Sequence, residues 1–111
     1  MEAGALRVGI LEDQQIVLDS LVVLFESSGV QVVARSGRVD DFLASLRQQP
    51  AEVAIVDLRL EHPDGQQVFD GRRAVELLHD FHPQVRSLVL SASRDPAQVE
   101  QCLRAGAAGY L

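Results

Sequence analysis

The chain has 111 residues, of which 47% are hydrophobic and 23% are charged, as expected for one ordinary globular domain rather than a disordered segment. The formal net charge of −6 argues against a nucleic-acid surface on this domain, and every basic residue is an arginine. Cys102 is the only cysteine, which excludes an internal disulfide and a Cys-x-x-Cys metal site. The sequence has no apolar run long enough to span a membrane and no basic start of a signal peptide, so we expect a cytoplasmic protein.

Strands and helices alternate along the first half of the chain. The apolar run over residues 6–11 predicts a strand that leads into Glu12 and Asp13. A helix over residues 14–28 is predicted from apolar residues at helical spacing, which are Val17, Leu21, Leu24 and Phe25. A half-alternating strand over residues 30–34 belongs nearer a sheet edge. The short helix after it ends before Pro50 and is marked by Val39, Phe42, Leu43 and Leu46.

The rest of the chain is arranged around the short run from Val53 to Leu58. Its residues are apolar on both faces up to Asp57, a pattern typical of a fully buried strand at the centre of a parallel sheet. Asp57 is therefore expected at the carboxyl end of a strand. Open α/β sheets bind their ligands at that end.

The second half continues the alternation after a long polar connection over residues 58–70. A usual connection of this kind has about 2 to 6 residues, so we expect this one to be functional or mobile. The next helix stops before Pro83, and its apolar stripe comprises Ala74, Leu77, Leu78 and Phe81. A strand over residues 86–90 then leads into Ser91.

The last predicted helix begins at Asp95, an N-cap acid followed by proline, and ends at Gly106. Gln98 is placed to complete a capping box. The inward residues of this helix are expected to be Val99, Cys102 and Leu103. A final strand starts at residue 108, and the whole order predicts an α/β fold with a doubly wound, parallel five-stranded sheet in one domain over residues 1–111.

Acidic and hydroxyl side chains follow three of these strands: Glu12 and Asp13, then Asp57, then Ser91. Two carboxylates about 4 Å apart repel by roughly 4 kcal/mol at an effective dielectric near 20, so three are not expected to stay ionised together unaided, and a hard divalent cation would resolve the repulsion. Mg²⁺ suits a site with few carboxylates and several waters. With this metal, Asp57 is predicted to attack a phosphorus atom and become an aspartyl phosphate, which Ser91 would hydrogen-bond.

Each of these residues taken singly has a simpler interpretation. Acids before a helix are often only N-terminal caps, an aspartate after a buried strand is often a turn residue, and Ser91 alone suggests a loop hydroxyl. Their shared position at the same end of successive parallel strands favours the functional interpretation.

The chain resembles the receiver domain of bacterial two-component response regulators over essentially its whole length. The motifs that carry the resemblance are Ile10-Leu11-Glu12-Asp13-Gln14, Val56-Asp57-Leu58, Leu88-Val89-Leu90-Ser91-Ala92 and Arg104-Ala105-Gly106-Ala107-Ala108-Gly109-Tyr110-Leu111. The last motif is most similar to regulators that carry a LuxR-type helix-turn-helix domain.

This resemblance implies a flavodoxin-like fold and a role for each matching residue. Asp57 would be the phosphoacceptor, Ser91 the switch hydroxyl and Tyr110 the switch aromatic. The Mg²⁺ ligands would be Glu12, Asp13, Asp57 and the backbone carbonyl of Arg59. The module would be no enzyme in the usual sense, because it catalyses only its own phosphorylation.

The resemblance also implies partners. The phosphoryl donor would be a sensor histidine kinase, and the regulator would act as a homodimer without contacting a membrane. DNA would be bound only through a C-terminal output domain that this chain does not contain.

Two departures from the family pattern stand out. The family has a lysine two positions beyond the residue that matches Leu111, and the chain ends before it and before the rest of the fifth strand and helix. We therefore expect a fragment of a longer protein, truncated at its C-terminal strand and helix. The second departure is the connection before Asp70-Gly71, which has several extra residues; His62 in it is expected to be solvated rather than a metal ligand.

Other functions remain as alternatives. A pseudo-receiver would act by protein interaction without taking a phosphoryl group. A Mg²⁺-dependent nucleotidyl-transfer enzyme of the type with an acid two residues after the strand aspartate would need that acid at Arg59. A cobalamin-binding or flavodoxin-like module would need a histidine-containing or phosphate-cradling loop after the first strand, where Glu12 and Asp13 would repel a phosphate.

Overall fold

The computed structural model of the chain describes residues 5–61, 68–91 and 95–111, and for residues 59–61 and 68–70 it describes the backbone alone. In chain order the elements are β1 (Arg7–Leu11), α1 (Gln15–Ser27), β2 (Gln31–Ser36), α2 (Val39–Gln48), β3 (Val53–Asp57), β4 (Arg59–Glu61), β5 (Val68–Asp70), α3 (Gly71–Phe81), β6 (Arg86–Leu90), α4 (Pro96–Ala105) and β7 (Gly109–Tyr110). Over these ranges no helix has the length and apolar character that a membrane span requires.

Five parallel strands form the main sheet in the order β2-β1-β3-β6-β7. This confirms the parallel α/β prediction, with β3 at the centre and β2 at an edge. Leu11 at the end of β1 lies beside Val56, and Asp57 at the end of β3 lies beside Leu90. The carboxyl ends of these three strands therefore meet at one edge of the sheet.

Helices cover both faces of the sheet, and each face has its own apolar core. One core joins α1 to the sheet through Leu18 and Val22, which pack near Val8, Ile10 and Ile55. The larger core lies under the three other helices, and its members include Phe42, Leu46, Val75, Leu78 and Cys102. Fully burying a side chain as large as these stabilises the fold by about 1.5 to 3 kcal/mol, so the two cores hold β3 rigidly between them.

The buried face of α1 matches the predicted stripe in part. Leu18 and Val22 are buried and the predicted Leu21 and Phe25 pack against the same core, whereas Val17 is exposed and Leu24 is 59% exposed. Apolar residues surround most of this helix, so helical spacing alone fits more than one face. The sheet decides which face is covered.

The last turns of α3 and α4 also depart from the predicted stripes. Phe81 is 69% exposed and Leu103 is 48% exposed. At the end of α3 the inward place belongs to His82, which is buried and whose backbone N–H donates to the Leu78 carbonyl. In α4 Cys102 is buried, as predicted.

The capping prediction at α4 is half right. Asp95 is the N-cap, and its carboxylate accepts a hydrogen bond of 3.0 Å from the Ala97 N–H. The capping box is not completed, because Oε1 of Gln98 is buried without a hydrogen-bond partner in the described part of the chain. Gly106 ends the helix at a positive φ of 116°, which favours glycine.

The polar connection after β3 contains two strands that its sequence pattern did not predict. Residues of β4 and β5 pair antiparallel, from Arg59 beside Asp70 to Glu61 beside Val68. Residues 62–67 lie outside the described residues, and so does the prediction made for His62. Since α3 begins at Gly71, the connection runs from β3 through this strand pair directly into the helix.

Candidate functional site

Three acidic side chains converge at the carboxyl edge of the sheet. Glu12 and Asp13 follow β1, and Asp57 is the last residue of the neighbouring β3. One carboxylate oxygen from each of the three lies within 4.8 Å of the other two. The convergence expected from the strand order is thus confirmed as geometry.

Backbone hydrogen bonds hold the acidic pair in place. The Glu12 N–H donates to the Ser36 carbonyl at 2.9 Å, which extends the pairing with β2 by one residue. Glu12 Oε1 accepts a hydrogen bond of 3.1 Å from the Gln14 N–H. Because Gln14 is the N-cap of α1, neither acid occupies the N-cap position itself, although the Glu12 carboxylate binds the backbone N–H at the start of this helix.

A glycine that the sequence pattern did not mark packs against the same pair. A Cβ atom at Gly37 would lie 3.0 Å from the Cα of Asp13 and 3.3 Å from the Glu12 carbonyl oxygen. The connection between β2 and α2 therefore passes directly against the backbone of the acidic pair. A lone glycine after a strand looks like any turn glycine, which is why only the tertiary contact reveals it.

Burial and neighbouring charge make Glu12 a weak acid. Its side chain is only 6% exposed, and burial is the largest cause that raises its pKa from 4.5 to about 7. The negative charge of Asp57, a hydrogen bond with Asp57 and the charge of Asp13 raise the pKa further, against the Gln14 N–H, which lowers it. Near neutral pH and without a metal, Glu12 therefore carries a proton in a large share of molecules.

The donor set fits a hard divalent cation. All three side chains offer carboxylate oxygen, and Asp13 and Asp57 are half-buried, which leaves a side of the site open for water. Mg²⁺ prefers oxygen ligands of this kind and usually retains several waters. Arg59, whose carbonyl was predicted as a further ligand, begins β4 two residues after Asp57.

Ser91 follows β6 and Tyr110 lies in the neighbouring strand β7, both toward the carboxyl edge of the sheet. Ser91 directly follows Leu90, the residue paired with Asp57, and its N–H donates to the Leu111 carbonyl at 3.2 Å. Tyr110 is half-buried in β7, where it pairs with Val89 and packs against the larger core. Their roles as switch hydroxyl and switch aromatic stay predictions.

Comparison with known sequences gives a consistent family. Residues 8–111 match the response regulator receiver domain. The chain is 37% identical over 109 residues to the transcriptional regulatory protein NarL of Mycobacterium tuberculosis, an alignment that covers 95% of this chain and 46% of that protein. It is 32% identical over 107 residues to UhpA of Salmonella typhimurium, covering 96% and 50%. The chain thus spans about half the length of these relatives.

Solved structures of receiver domains superpose well on the chain. The signal receiver domain of the response regulator NarL from Mycobacterium tuberculosis superposes with a TM-score of 0.82 at 28% identity, covering 96% of this chain and 82% of that one. A LuxR-family two-component response regulator from Aurantimonas sp. SI85-9A1 gives a TM-score of 0.82 at 23% identity, covering 96% and 73%. At that lower identity the likeness shows the fold alone.

Proposed function

Because the chain belongs to the response regulator receiver domain family, we propose that it is a phosphorylation-dependent switch whose Asp57 accepts a phosphoryl group from a sensor histidine kinase. The observation that supports this most directly is the convergence of Glu12, Asp13 and Asp57 within 4.8 Å at the sheet edge. A core residue or a simple cap would not need two further carboxylates held against it.

The proposed transfer is an in-line displacement. A carboxylate oxygen of Asp57 attacks the phosphorus of a phosphohistidine, a P–O bond forms, and the P–N bond breaks as the departing imidazole nitrogen takes a proton from solvent. Glu12, Asp13, Asp57 and the Arg59 carbonyl would hold Mg²⁺, which would supply positive charge for the phosphoryl oxygens. The central strand β3 positions Asp57 for this attack, because its residues Ala54 and Val56 are fully buried.

The hydroxyl of Ser91 is proposed to donate a hydrogen bond to the new phosphoryl oxygen. Two features support a path for the signal from there. The Ser91 N–H binds the carbonyl of Leu111, and Tyr110 precedes Leu111 in the sequence. Movement of Ser91 toward the phosphoryl group would therefore pull on the end of β7 and on Tyr110.

We propose that the domain through which this switch acts on DNA lies outside residues 1–111. The relatives are transcriptional regulatory proteins about twice as long as the aligned region, and the net charge of −6 disfavours DNA contact by this domain. A C-terminal DNA-binding domain and a homodimer are the arrangement proposed, with residues 1–111 as the receiver.

Intact-mass spectrometry tests the proposal. The chain is incubated with acetyl phosphate, with and without Mg²⁺, alongside Asp57→Asn and the control Asp80→Asn, which changes an exposed acid on α3. The expected result is a Mg²⁺-dependent gain of one phosphoryl group in the unchanged chain and in the control, absent from Asp57→Asn. If Asp57→Asn still gains a phosphoryl group, another residue is the acceptor.

A second candidate is a receiver that works by protein interaction without phosphorylation. The strand pair β4–β5, inserted directly after Asp57, favours it, because an added element beside the site offers a surface for a partner. A folded chain that gains no phosphoryl group from acetyl phosphate, or from a phosphorylated histidine kinase, would favour this alternative.

A further inference from the structure

The two ends of the β4–β5 pair meet next to Asp57, the proposed phosphoacceptor. Leu58 precedes β4 and Gly71 follows β5, and the Gly71 N–H donates a hydrogen bond of 2.7 Å to the Leu58 carbonyl. Inside this bond Arg59 pairs with Asp70. The chain thus leaves the sheet after Asp57 and returns to the same point before α3 starts.

Gly71 leaves no room for a side chain at this point. A Cβ atom there would lie 2.2 Å from the Asp57 carbonyl oxygen, 2.7 Å from the Leu58 Cα and 3.0 Å from the Asp57 carbonyl carbon. All three are backbone atoms, so no rotamer change can relieve the clash. Positive φ is found among the described glycines only at Gly29 and Gly106, so at Gly71 it is the contact, rather than the backbone conformation, that requires glycine.

Both sides of this contact are held by the fold. The start of α3 is anchored in the core by Ala74 and Val75, which are 1% and 0% exposed. On the other side Leu58 is buried, and its N–H donates a hydrogen bond of 3.2 Å to the Leu90 carbonyl. A methyl group at residue 71 is therefore expected to displace the Asp57–Leu58 peptide together with the start of α3.

From these contacts we propose that Gly71 is a positioning residue that sets the place of the Asp57 carboxylate. The inference rests on the proposed function, in which Asp57 takes part in the metal site and accepts the phosphoryl group. A methyl group at residue 71 requires about 1 Å of extra separation to reach the ordinary contact distance of 3.4 Å. Misplacing a reacting group by about 1 Å can slow a reaction about 10²-fold.

The test compares Gly71→Ala with Gly29→Ala. Gly29 has φ +86°, and a Cβ atom there would have no other atom within 4 Å, so alanine strains the backbone without touching the site. Mg²⁺ affinity is measured by calorimetric titration, and phosphorylation by acetyl phosphate is followed by mass spectrometry. The ¹³C resonance of the Asp57 side-chain carboxyl carbon is recorded as a signature of its displacement.

For Gly71→Ala we expect Mg²⁺ affinity to fall about tenfold or more, as for changes to groups that orient metal ligands. Phosphorylation should slow about 10²-fold, and the resonance of the Asp57 carboxyl carbon should shift. Gly29→Ala should lower stability alone. A folded Gly71→Ala protein with unchanged Mg²⁺ affinity and an unshifted Asp57 resonance would overturn the proposal.

Two further readouts keep the result decisive. If the unchanged chain takes no phosphoryl group, the phosphoacceptor function fails, while Mg²⁺ affinity and the Asp57 resonance still decide the role of Gly71. If Gly71→Ala does not fold even in a stabilising osmolyte, hydrogen exchange of the unchanged chain decides. Saturating Mg²⁺ should then slow exchange of the Gly71 amide more than that of the Gly29 amide, which reports the general stabilisation by the metal. Equal slowing at the two glycines would refute the coupling.

Discussion

A carboxylate oxygen of the buried Glu12 lies within 4.8 Å of a carboxylate oxygen of Asp57, and this approach brings the end of β1 against the end of β3. The two groups can share one proton but repel each other when both are ionised. Stability, metal binding and pH are therefore linked at this pair.

Ionisation of Glu12 is predicted to destabilise the metal-free fold. Its pKa is about 7 in the folded chain, against an ordinary value of 4.5 for a solvated glutamate, so the folded state holds the proton more tightly. The protonated Glu12 side chain contributes fully to stability below pH 4.5, and this contribution is lost as the pH rises through about 7. Glu12→Gln should raise the free energy of unfolding by about 1 to 2 kcal/mol near pH 8 and change it little near pH 4. Urea unfolding at both pH values, with Glu26→Gln on the exposed side of α1 as control, checks this; an equal gain at both would contradict it.

Mg²⁺ is predicted to stabilise the fold, since a ligand that binds only the folded state adds about 2.7 kcal/mol at 100 times its Kd. The metal must displace the proton on Glu12, so its affinity should increase as the pH rises through about 7. Asp13→Asn should remove most of the gain, because one of the three converging carboxylates is lost. Thermal unfolding with and without Mg²⁺ measures this. A gain that is independent of pH and unchanged in Asp13→Asn would place the metal elsewhere.

His82 is predicted to give the opposite pH dependence. Burial, followed by the positive charge of Arg47, lowers its pKa below 6.5, so the unfolded chain takes up a proton more readily than the folded one. Its contribution to stability is present above 6.5 and is lost as the pH falls through and below that value. His82→Gln removes this titration, so stability should rise less, or fall more steeply, as the pH increases from about 5 to 7 than it does in the unchanged chain, where Glu12 acts in the opposite direction. Urea unfolding across this range decides, and a slope identical to that of the unchanged chain would count against His82.

Phe42 and Phe81 are the same residue type in opposite environments. Phe42 is fully buried and packs on the backbone of Gly9, where a Cβ atom would lie 2.9 Å from its ring, whereas Phe81 is 69% exposed. Phe42→Ala should reduce the free energy of unfolding by about 3 to 5 kcal/mol, through lost burial and the cavity that remains. Phe81→Ala should change it by about 0.5 kcal/mol or less. Comparable losses in the two variants, measured by urea unfolding, would contradict the assigned faces.

The N-cap at Asp95 is predicted to be worth about 1 kcal/mol, because its carboxylate satisfies the Ala97 N–H at the start of α4. Asp95→Ala should lower the thermal midpoint accordingly, and Asp95→Asn, which keeps the acceptor oxygen, should recover most of the loss. If Asn and Ala behave alike, the hydrogen bond is not the source of the stability.

The sheet and the meeting of the three acids could be read from local patterns. The run from Val53 to Val56 is apolar on both faces, which favours a buried central strand ending at Asp57, and the observed bounds agree. Alternation of strands and helices requires parallel strands, whose carboxyl ends share an edge. Glu12, Asp13 and Asp57 follow from those two facts and from their places in the chain.

The tertiary structure alone decided which surfaces are covered. Helical spacing in α1 is compatible with several faces, and only packing on the sheet selects Leu18 and Val22. The raised pKa of Glu12 depends on burial against residues distant in sequence, and the clash that requires glycine at residue 71 exists only where α3 returns to Asp57. Local sequence determines the period and ends of an element, because those depend on neighbouring residues. Burial, electrostatics and close backbone contact depend on residues brought together by the whole fold.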